Sequence, residues 1–134
     1  MRILADSNNI IDFWKKPTED QISVFSNEDV VICGVVRSEL MHGAKSDADL
    51  LRINETLDEF EELNIENADW PIFGKMLYRL RSHGITVPFQ DALIAFLCVK
   101  HDVHLWTNDK HFQIMQKILS ELKIFNIVES RNKE

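Results

Sequence analysis

The chain has 134 residues, of which 45% are hydrophobic and 28% charged, and its formal net charge at pH 7 is −7. These proportions are those of an ordinary globular protein, and the length suits one domain with its own core. The acidic balance argues against a surface coated in nucleic-acid-binding cations, although it leaves room for a nuclease whose acids hold metal. No apolar run approaches the roughly 20 residues that a membrane-spanning helix needs, and we expect a cytoplasmic protein with no membrane contact.

The first half of the chain alternates between apolar runs of strand length and segments with helical spacing. A capping-box sequence, Thr18–Gln21, predicts the start of a short helix because its side chains can accept the unpaired amide protons of the first turn. The predicted elements are a strand over 2–6, helices over 8–14 and from about 19, a strand over 29–33, and helices over 35–44 and 46–62.

The second half continues the same alternation. Asn67 or Asp69 is the expected cap of a helix that carries Pro71 in its tolerated first turn, and Gly84 closes this helix. The other predicted elements are a short strand at 63–65, a buried helix over 91–101, a strand over 104–107, a helix over 110–122 and a last strand at 123–126. The pattern predicts a single α/β domain over residues 1–130, with a central, mainly parallel sheet flanked by helices and a frayed tail at 131–134.

Cysteine and histidine form no metal-binding pattern in the sequence. Cys33 and Cys98 lie in an apolar strand and an apolar helix, where we expect buried, reduced thiols. The histidines are scattered without ligand spacing, so each is assigned an ordinary surface or core role: His42, His83, His101, His104 and His111.

Three acids stand where a parallel sheet presents its ligand site. Asp6 ends the first strand, Asp109 follows the strand over 104–107, and Asp91 opens the buried helix. Asp91 and Asp109 can also be interpreted as helix caps. Asp6 is harder to explain structurally, because a carboxylate at the end of an apolar strand loses hydration unless a positive charge is near.

Glu39 is a fourth candidate, although its neighbours Arg37 and Lys45 also allow an ordinary surface charge. Several carboxylates packed together repel one another, and a bound cation relieves that repulsion. Mg²⁺ and Mn²⁺ prefer oxygen ligands, can activate water and can stabilise charge on a departing oxygen. A group of acids of this kind therefore suits metal-dependent phosphodiester hydrolysis.

Four short motifs resemble, in order and spacing, the successive motifs of PIN-domain ribonucleases, and most closely those of the VapC-type toxins of toxin–antitoxin pairs. They are Leu4–Asn8, Arg37–Leu40 with Gly43-Ala44, Asp91–Ala95 and Thr107–Phe112. The resemblance covers essentially the whole chain and implies a PIN-like domain. Its one departure is Asn9, where the family usually has an apolar residue.

The resemblance implies a set of site residues and a cofactor. The acidic, metal-binding and catalytic quartet would be Asp6, Glu39, Asp91 and Asp109. Ser7 and Asn8 would support the first acid, and Thr107 and Asn108 would position the last through hydrogen bonds. The cofactor would be Mg²⁺ or Mn²⁺.

The resemblance also implies an activity and partners. The expected protein is an endoribonuclease toxin in which a metal-activated water attacks phosphorus, leaving a 3′-hydroxyl and a 5′-phosphate. The expected target is structured RNA such as tRNA, whose cleavage would inhibit translation. A homodimer and a tight complex with a VapB-like antitoxin would follow, with an antitoxin arginine able to pair with the acids.

Two other classes of function remain open at this stage. One is a PIN-like module that binds RNA or a protein without cleaving, although the presence of all four acids argues against it. The other is a different Mg²⁺-dependent phosphate hydrolase on a doubly wound sheet. That class would need a nucleophilic aspartate with its own flanking motif and a suitable lysine, which Asp6–Asn9 does not supply.

Overall fold

A computed structural model describes residues 1–127 of the chain, so the predicted tail at 131–134 lies outside the described residues. Its elements are β1 (Arg2–Ala5), α1 (Ser7–Lys15), α2 (Glu19–Asn27), β2 (Asp29–Cys33), α3 (Gly34–His42), α4 (Asp47–Leu57), β3 (Glu62–Leu63), α5 (Asp69–Ser82), α6 (Phe89–His101), β4 (His104–Trp106) and α7 (Lys110–Gln116).

The four strands form one parallel sheet in the order β3-β2-β1-β4. The predicted α/β class with a mainly parallel sheet is therefore confirmed for the described residues. β1 is central, since Leu4 pairs with Val31 of β2 on one side and with Leu105 of β4 on the other. The carboxyl ends of β1 and β4 consequently lie side by side, and the loops after them begin with Asp6 and Thr107.

The core lies between the sheet and the helices that cover it. β1 is an apolar run without alternation, as expected of a strand covered on both faces, and Ile3 and Leu4 are fully buried. The most buried helix is α6, whose residues 92–98 are all buried. None of the helices in residues 1–127 combines the length and apolarity that crossing a bilayer requires.

Two predicted helices end earlier than their sequence patterns suggest. The helix predicted over 46–62 ends at Leu57, and Glu62–Leu63 instead forms β3 beside β2. The helix predicted over 110–122 ends at Gln116, and turns follow it. Both predictions were too long because the residues after each helix keep helical spacing. The backbone instead leaves the helix, to pair with β2 in the first case and to form turns in the second.

Two smaller predictions also need correction. Asp69 does not cap α5; its carboxylate instead accepts a hydrogen bond from the backbone N–H of Glu66 and pairs with the ammonium group of Lys100. The predicted last strand at 123–126 is a single bridge, in which Ile124 lies parallel to Leu105. The carbonyl oxygen of Lys123 accepts the N–H of Leu105, and the N–H of Phe125 donates to the carbonyl oxygen of Leu105, so this segment extends the sheet beyond β4.

Candidate active site

Asp6 lies directly after β1, and its side chain is 8% exposed. Its backbone N–H bonds to the carbonyl oxygen of Trp106 at 3.0 Å, which ties the ends of β1 and β4 together. Asp6 is also the N-cap residue of α1, but its side chain makes no capping hydrogen bond. The carboxylate is instead held by hydroxyls: Thr107 donates to Oδ2 at 2.8 Å, and Ser7 Oγ lies 3.4 Å from Oδ1.

Glu39 reaches the same place from α3. Ser7 Oγ lies 3.4 Å from Glu39 Oε2, so this hydroxyl stands between Glu39 and Asp6. Partial burial raises the pKa of Glu39, and the charges of Asp6 and Asp91 raise it further. The neighbour Arg37 does not neutralise Glu39, because its guanidinium pairs with Asp58 and Glu62.

Asp91 lies in the first turn of α6, but it is not the cap of that helix, because Pro88 occupies the N-cap position. The capping interpretation of Asp91 is therefore wrong. Burial raises the pKa of Asp91, a hydrogen bond from His111 opposes the rise, and the charges of Asp109 and Asp6 add to it.

Asp109 is the N-cap of α7, and its Oδ1 accepts the backbone N–H of His111 at 2.9 Å. The capping interpretation of Asp109 is correct, and it does not remove the carboxylate from the site. Thr107 joins Asp109 to Asp6, since its hydroxyl accepts the N–H of Asp109 at 3.0 Å and donates to Asp6. One threonine thus connects two acids that are 103 positions apart in the sequence.

His111 is the site residue that the sequence interpretation missed. Its Nδ1 lies 3.1 Å from Asp91 Oδ2 and 3.4 Å from Asp109 Oδ1. The absence of ligand spacing among the histidines suggested an ordinary role. The usable signal was its place two residues after Asp109, in the first turn of a helix that starts at the sheet edge.

The two asparagines predicted as supports differ from their hydroxyl neighbours. Asn8 and Asn108 are exposed, whereas Ser7 is buried and Thr107 is half-buried. Of these four predicted supports, Ser7 and Thr107 are the two that contact the acids. Support by Asn8 and Asn108 therefore stays a prediction.

The donor atoms of the cluster fit a divalent cation. Asp91, Asp109 and His111 each offer one ligand atom, and these atoms lie within 4.8 Å of one another. Asp6 lies close enough to Asp91 to raise the pKa of Asp91, and Asp91 lies close enough to Glu39 to raise the pKa of Glu39. Carboxylate oxygens that repel one another at a sheet edge match the ligands that Mg²⁺ and Mn²⁺ require.

A groove of about 670 Å³ adjoins the acids on the side of Glu39. It lies between α3, β3 and the start of α6, and its lining is mainly apolar, including Leu63, Leu93 and the exposed ring of Phe89. The groove is large enough for a few side chains of a partner or for a nucleobase.

Residues 3–118 match the sequence model of the PIN domain. The chain belongs to the PIN domain family. The match spans all four acids and their hydroxyl neighbours, so the resemblance inferred from the motifs is confirmed. A comparison with curated proteins gave no match.

Solved structures share this PIN domain's fold. VapBC-1 from nontypeable Haemophilus influenzae matches with a TM-score of 0.77 and 18% identity over 96% of this chain and 99% of that chain. VapBC2 from Rickettsia felis, bound to a DNA fragment from their promoter, matches at 0.76 and 19% over 94% and 98%. DNA-bound VapBC from Salmonella typhimurium matches at 0.76 and 20% over 95% and 98%. At these identities the likeness establishes a common fold.

Proposed function

We propose that this PIN domain is a Mg²⁺- or Mn²⁺-dependent endoribonuclease, and that it is the toxin of a toxin–antitoxin pair. The observation that carries the proposal is the convergence of Asp6, Glu39, Asp91 and Asp109, from four separate segments, at one edge of the parallel sheet. An acidic cluster with raised pKa values at such an edge is costly for stability, which argues for a role in catalysis.

The acids and the hydroxyl residues have different roles in the proposed reaction. A bound divalent cation would lower the pKa of water, orient the phosphate and stabilise the departing oxygen. Asp6, Asp91 and Asp109 would hold the cation, and Glu39, at the rim beside the groove, is suited to accept a proton from the attacking water. Ser7 and Thr107 fix the rotamers of Asp6 and Glu39 through the hydrogen bonds described above. The products would carry a 3′-hydroxyl and a 5′-phosphate.

The proposed substrate is structured RNA such as tRNA, so that cleavage would inhibit translation in the cytoplasm. An RNA phosphate approaching this site meets carboxylates unless a cation is bound, and RNA cleavage should therefore depend strictly on metal. The acidic chain, with a net charge of −7, is consistent with that requirement.

The proposed protein partners are a VapB-like antitoxin and a second copy of the chain. Support for the antitoxin comes from the VapBC complexes that share this fold. The groove beside Glu39 has the apolar lining and adjacent negative charge that suit an antitoxin segment with an apolar side chain followed by arginine. An arginine at the acids would exclude the cation and inhibit cleavage.

Cleavage of tRNA by the purified protein tests this proposal. With millimolar Mg²⁺ or Mn²⁺ we expect fragments bearing 5′-phosphates, and with EDTA no cleavage. Asp6→Asn should reduce the rate about 10³-fold, since it removes a ligand from the metal that stabilises the transition state. Glu55→Gln, the same acid-to-amide change on the exposed face of α4, is the matched control and should leave the rate unchanged.

RNA binding, measured by a gel shift in parallel, separates the proposal from the non-cleaving alternative. An Asp6→Asn protein that still binds RNA but no longer cleaves supports a nuclease. Equal cleavage by wild type and Asp6→Asn would overturn the assignment of the acids, and binding without cleavage under every cation would favour a PIN-like binding module.

A further inference from the structure

We propose that His111 is a direct metal ligand, so that its Nδ1 atom adds a nitrogen to the carboxylate oxygens of Asp91 and Asp109 around one cation. The proposal deepens the proposed function, and it rests on that function only in requiring a cation at this cluster. Its consequence is a preference for transition-metal cations such as Mn²⁺ and Co²⁺ over Mg²⁺.

The spacing of the three donor atoms is that of ligands around one ion. Two ligands that lie about 2.1 Å from an octahedral metal and at right angles to each other are about 3 Å apart. Nδ1 of His111 lies 3.1 Å from Asp91 Oδ2 and 3.4 Å from Asp109 Oδ1. These distances would allow one cation to contact the imidazole and both carboxylates.

The backbone of α7 holds His111 in this place. Asp109 caps the helix by accepting the N–H of His111, so the cap and the ring belong to the same turn. The next residue, Phe112, is 1% exposed and anchors the turn in the core. The side chain of His111 is 45% exposed, which leaves room for water or phosphate on the outer side of an ion bound there.

Nitrogen among the donors changes the selectivity of the site. Mg²⁺ binds proteins through oxygen and keeps several waters, whereas imidazole is a good ligand for the later transition metals. For a given nitrogen–oxygen site the affinity rises from Mn²⁺ to Co²⁺. A histidine that only supported Asp91 by a hydrogen bond would instead strengthen the binding of all these cations to a similar extent.

Metal titrations of the purified full-length protein, followed by calorimetry, test the selectivity. We expect His111→Ala to weaken Co²⁺ binding at least 10-fold and Mg²⁺ binding less than about 2-fold. The variant retains the backbone N–H that Asp109 accepts, so the cap of α7 survives. His83→Ala is the matched control, because His83 is exposed and its ring bonds to Arg79 and Ser82 of α5, and it should leave both affinities unchanged.

Pulsed electron paramagnetic resonance of Mn²⁺ bound to the wild-type protein tests the bond itself without relying on a variant. Directly coordinated imidazole should give a ¹⁴N coupling that is absent in His111→Ala. Mn²⁺ binding without nitrogen coupling, or an equal loss of Mg²⁺ and Co²⁺ affinity in His111→Ala, would overturn the proposal while leaving the nuclease standing. Nitrogen coupling in a protein that cleaves no RNA would support this ligand and contradict the nuclease.

Discussion

Asn9 is polar where the motif resemblance implies an apolar residue, and a hydrogen bond shows what its side chain does there. The side chain is 3% exposed, and its Nδ2 donates to the carbonyl oxygen of Trp106 at 2.8 Å. The same oxygen accepts the N–H of Asp6. Asn9 therefore pins the start of α1 to the end of β4, close to the threonine that holds Asp6. An apolar side chain could fill this place but could not form that link.

Asn9→Ala should lower the free energy of unfolding, measured by urea denaturation, by about 1–2 kcal/mol more than Asn8→Ala does. The two residues are adjacent in the first turn of α1, and the substitutions change helix propensity equally. Only Asn9 is buried and bonded across to β4, so the difference between the variants isolates that contact. Equal effects of the two substitutions would mean that the bond to Trp106 contributes nothing to stability.

At the scale of elements, local signals identify where a helix begins. The capping box predicted at Thr18–Gln21 is present: the Thr18 hydroxyl accepts the N–H of Gln21 at 3.1 Å, and the Gln21 side chain accepts the N–H of Thr18 at 3.0 Å. It starts α2, whose Phe25 stacks on Phe13 of α1 with ring centroids 4.1 Å apart. The cap thereby helps to hold α2 against α1.

Thr18→Ala should cost about 1 kcal/mol of stability, because the side chain satisfies an otherwise unpaired amide of the first turn. Thr18→Ser keeps the hydroxyl and should cost much less. Thermal and urea unfolding of both variants measure the effect. A loss in Thr18→Ser as large as that in Thr18→Ala would show that the methyl group, and not the cap, stabilises α2.

Where a helix ends was less predictable, because the determinants are not local. Nothing in the sequence after Leu57 stops a helix, but Glu62 pairs with Arg37 at 2.8 Å and β3 bonds to the end of β2. The same distinction between local signals and tertiary determinants applies to the site. Asp6 and Asp109 were predictable from their places after strands and Asp91 from the start of a buried helix, whereas Glu39 was assigned only through the motif resemblance. The role of His111 depends on the direction of one side chain in a short helix, which spacing alone does not reveal.

The acids whose pKa values are shifted in the folded protein fall into two groups with opposite effects on stability. Lys100 and the N–H of Glu66 lower the pKa of Asp69, so its contribution is present above the ordinary aspartate pKa and is lost as the pH falls through the lower folded value. Burial and neighbouring acids raise the pKa of Glu39 and Asp91. Their ionisation destabilises the fold, increasingly as the pH rises through the raised values.

Repulsion among the acids of the site should therefore lower the free energy of unfolding, most strongly at high pH and without metal. In EDTA, Glu39→Gln should be more stable than wild type at pH 8, by up to about 1 kcal/mol for partly exposed charges. The amide does not titrate, so the advantage should shrink as the pH falls through the raised pKa of Glu39 and be lost at about pH 4, below the ordinary glutamate pKa. Glu55→Gln, the same acid-to-amide change at an exposed position of α4, is the matched control.

Bound metal should cancel the loss of stability that repulsion among the acids causes in the wild type. At 100 times its dissociation constant, Mg²⁺ should stabilise the folded protein by about 2.7 kcal/mol, and it should stabilise Glu39→Gln less if Glu39 contributes to holding the ion. Urea unfolding at both pH values, with EDTA and with Mg²⁺, measures all four conditions. A Glu39→Gln protein that is less stable than wild type in EDTA at pH 8 would contradict mutual repulsion among these acids. The negative charge of Glu39 would then stabilise the folded protein.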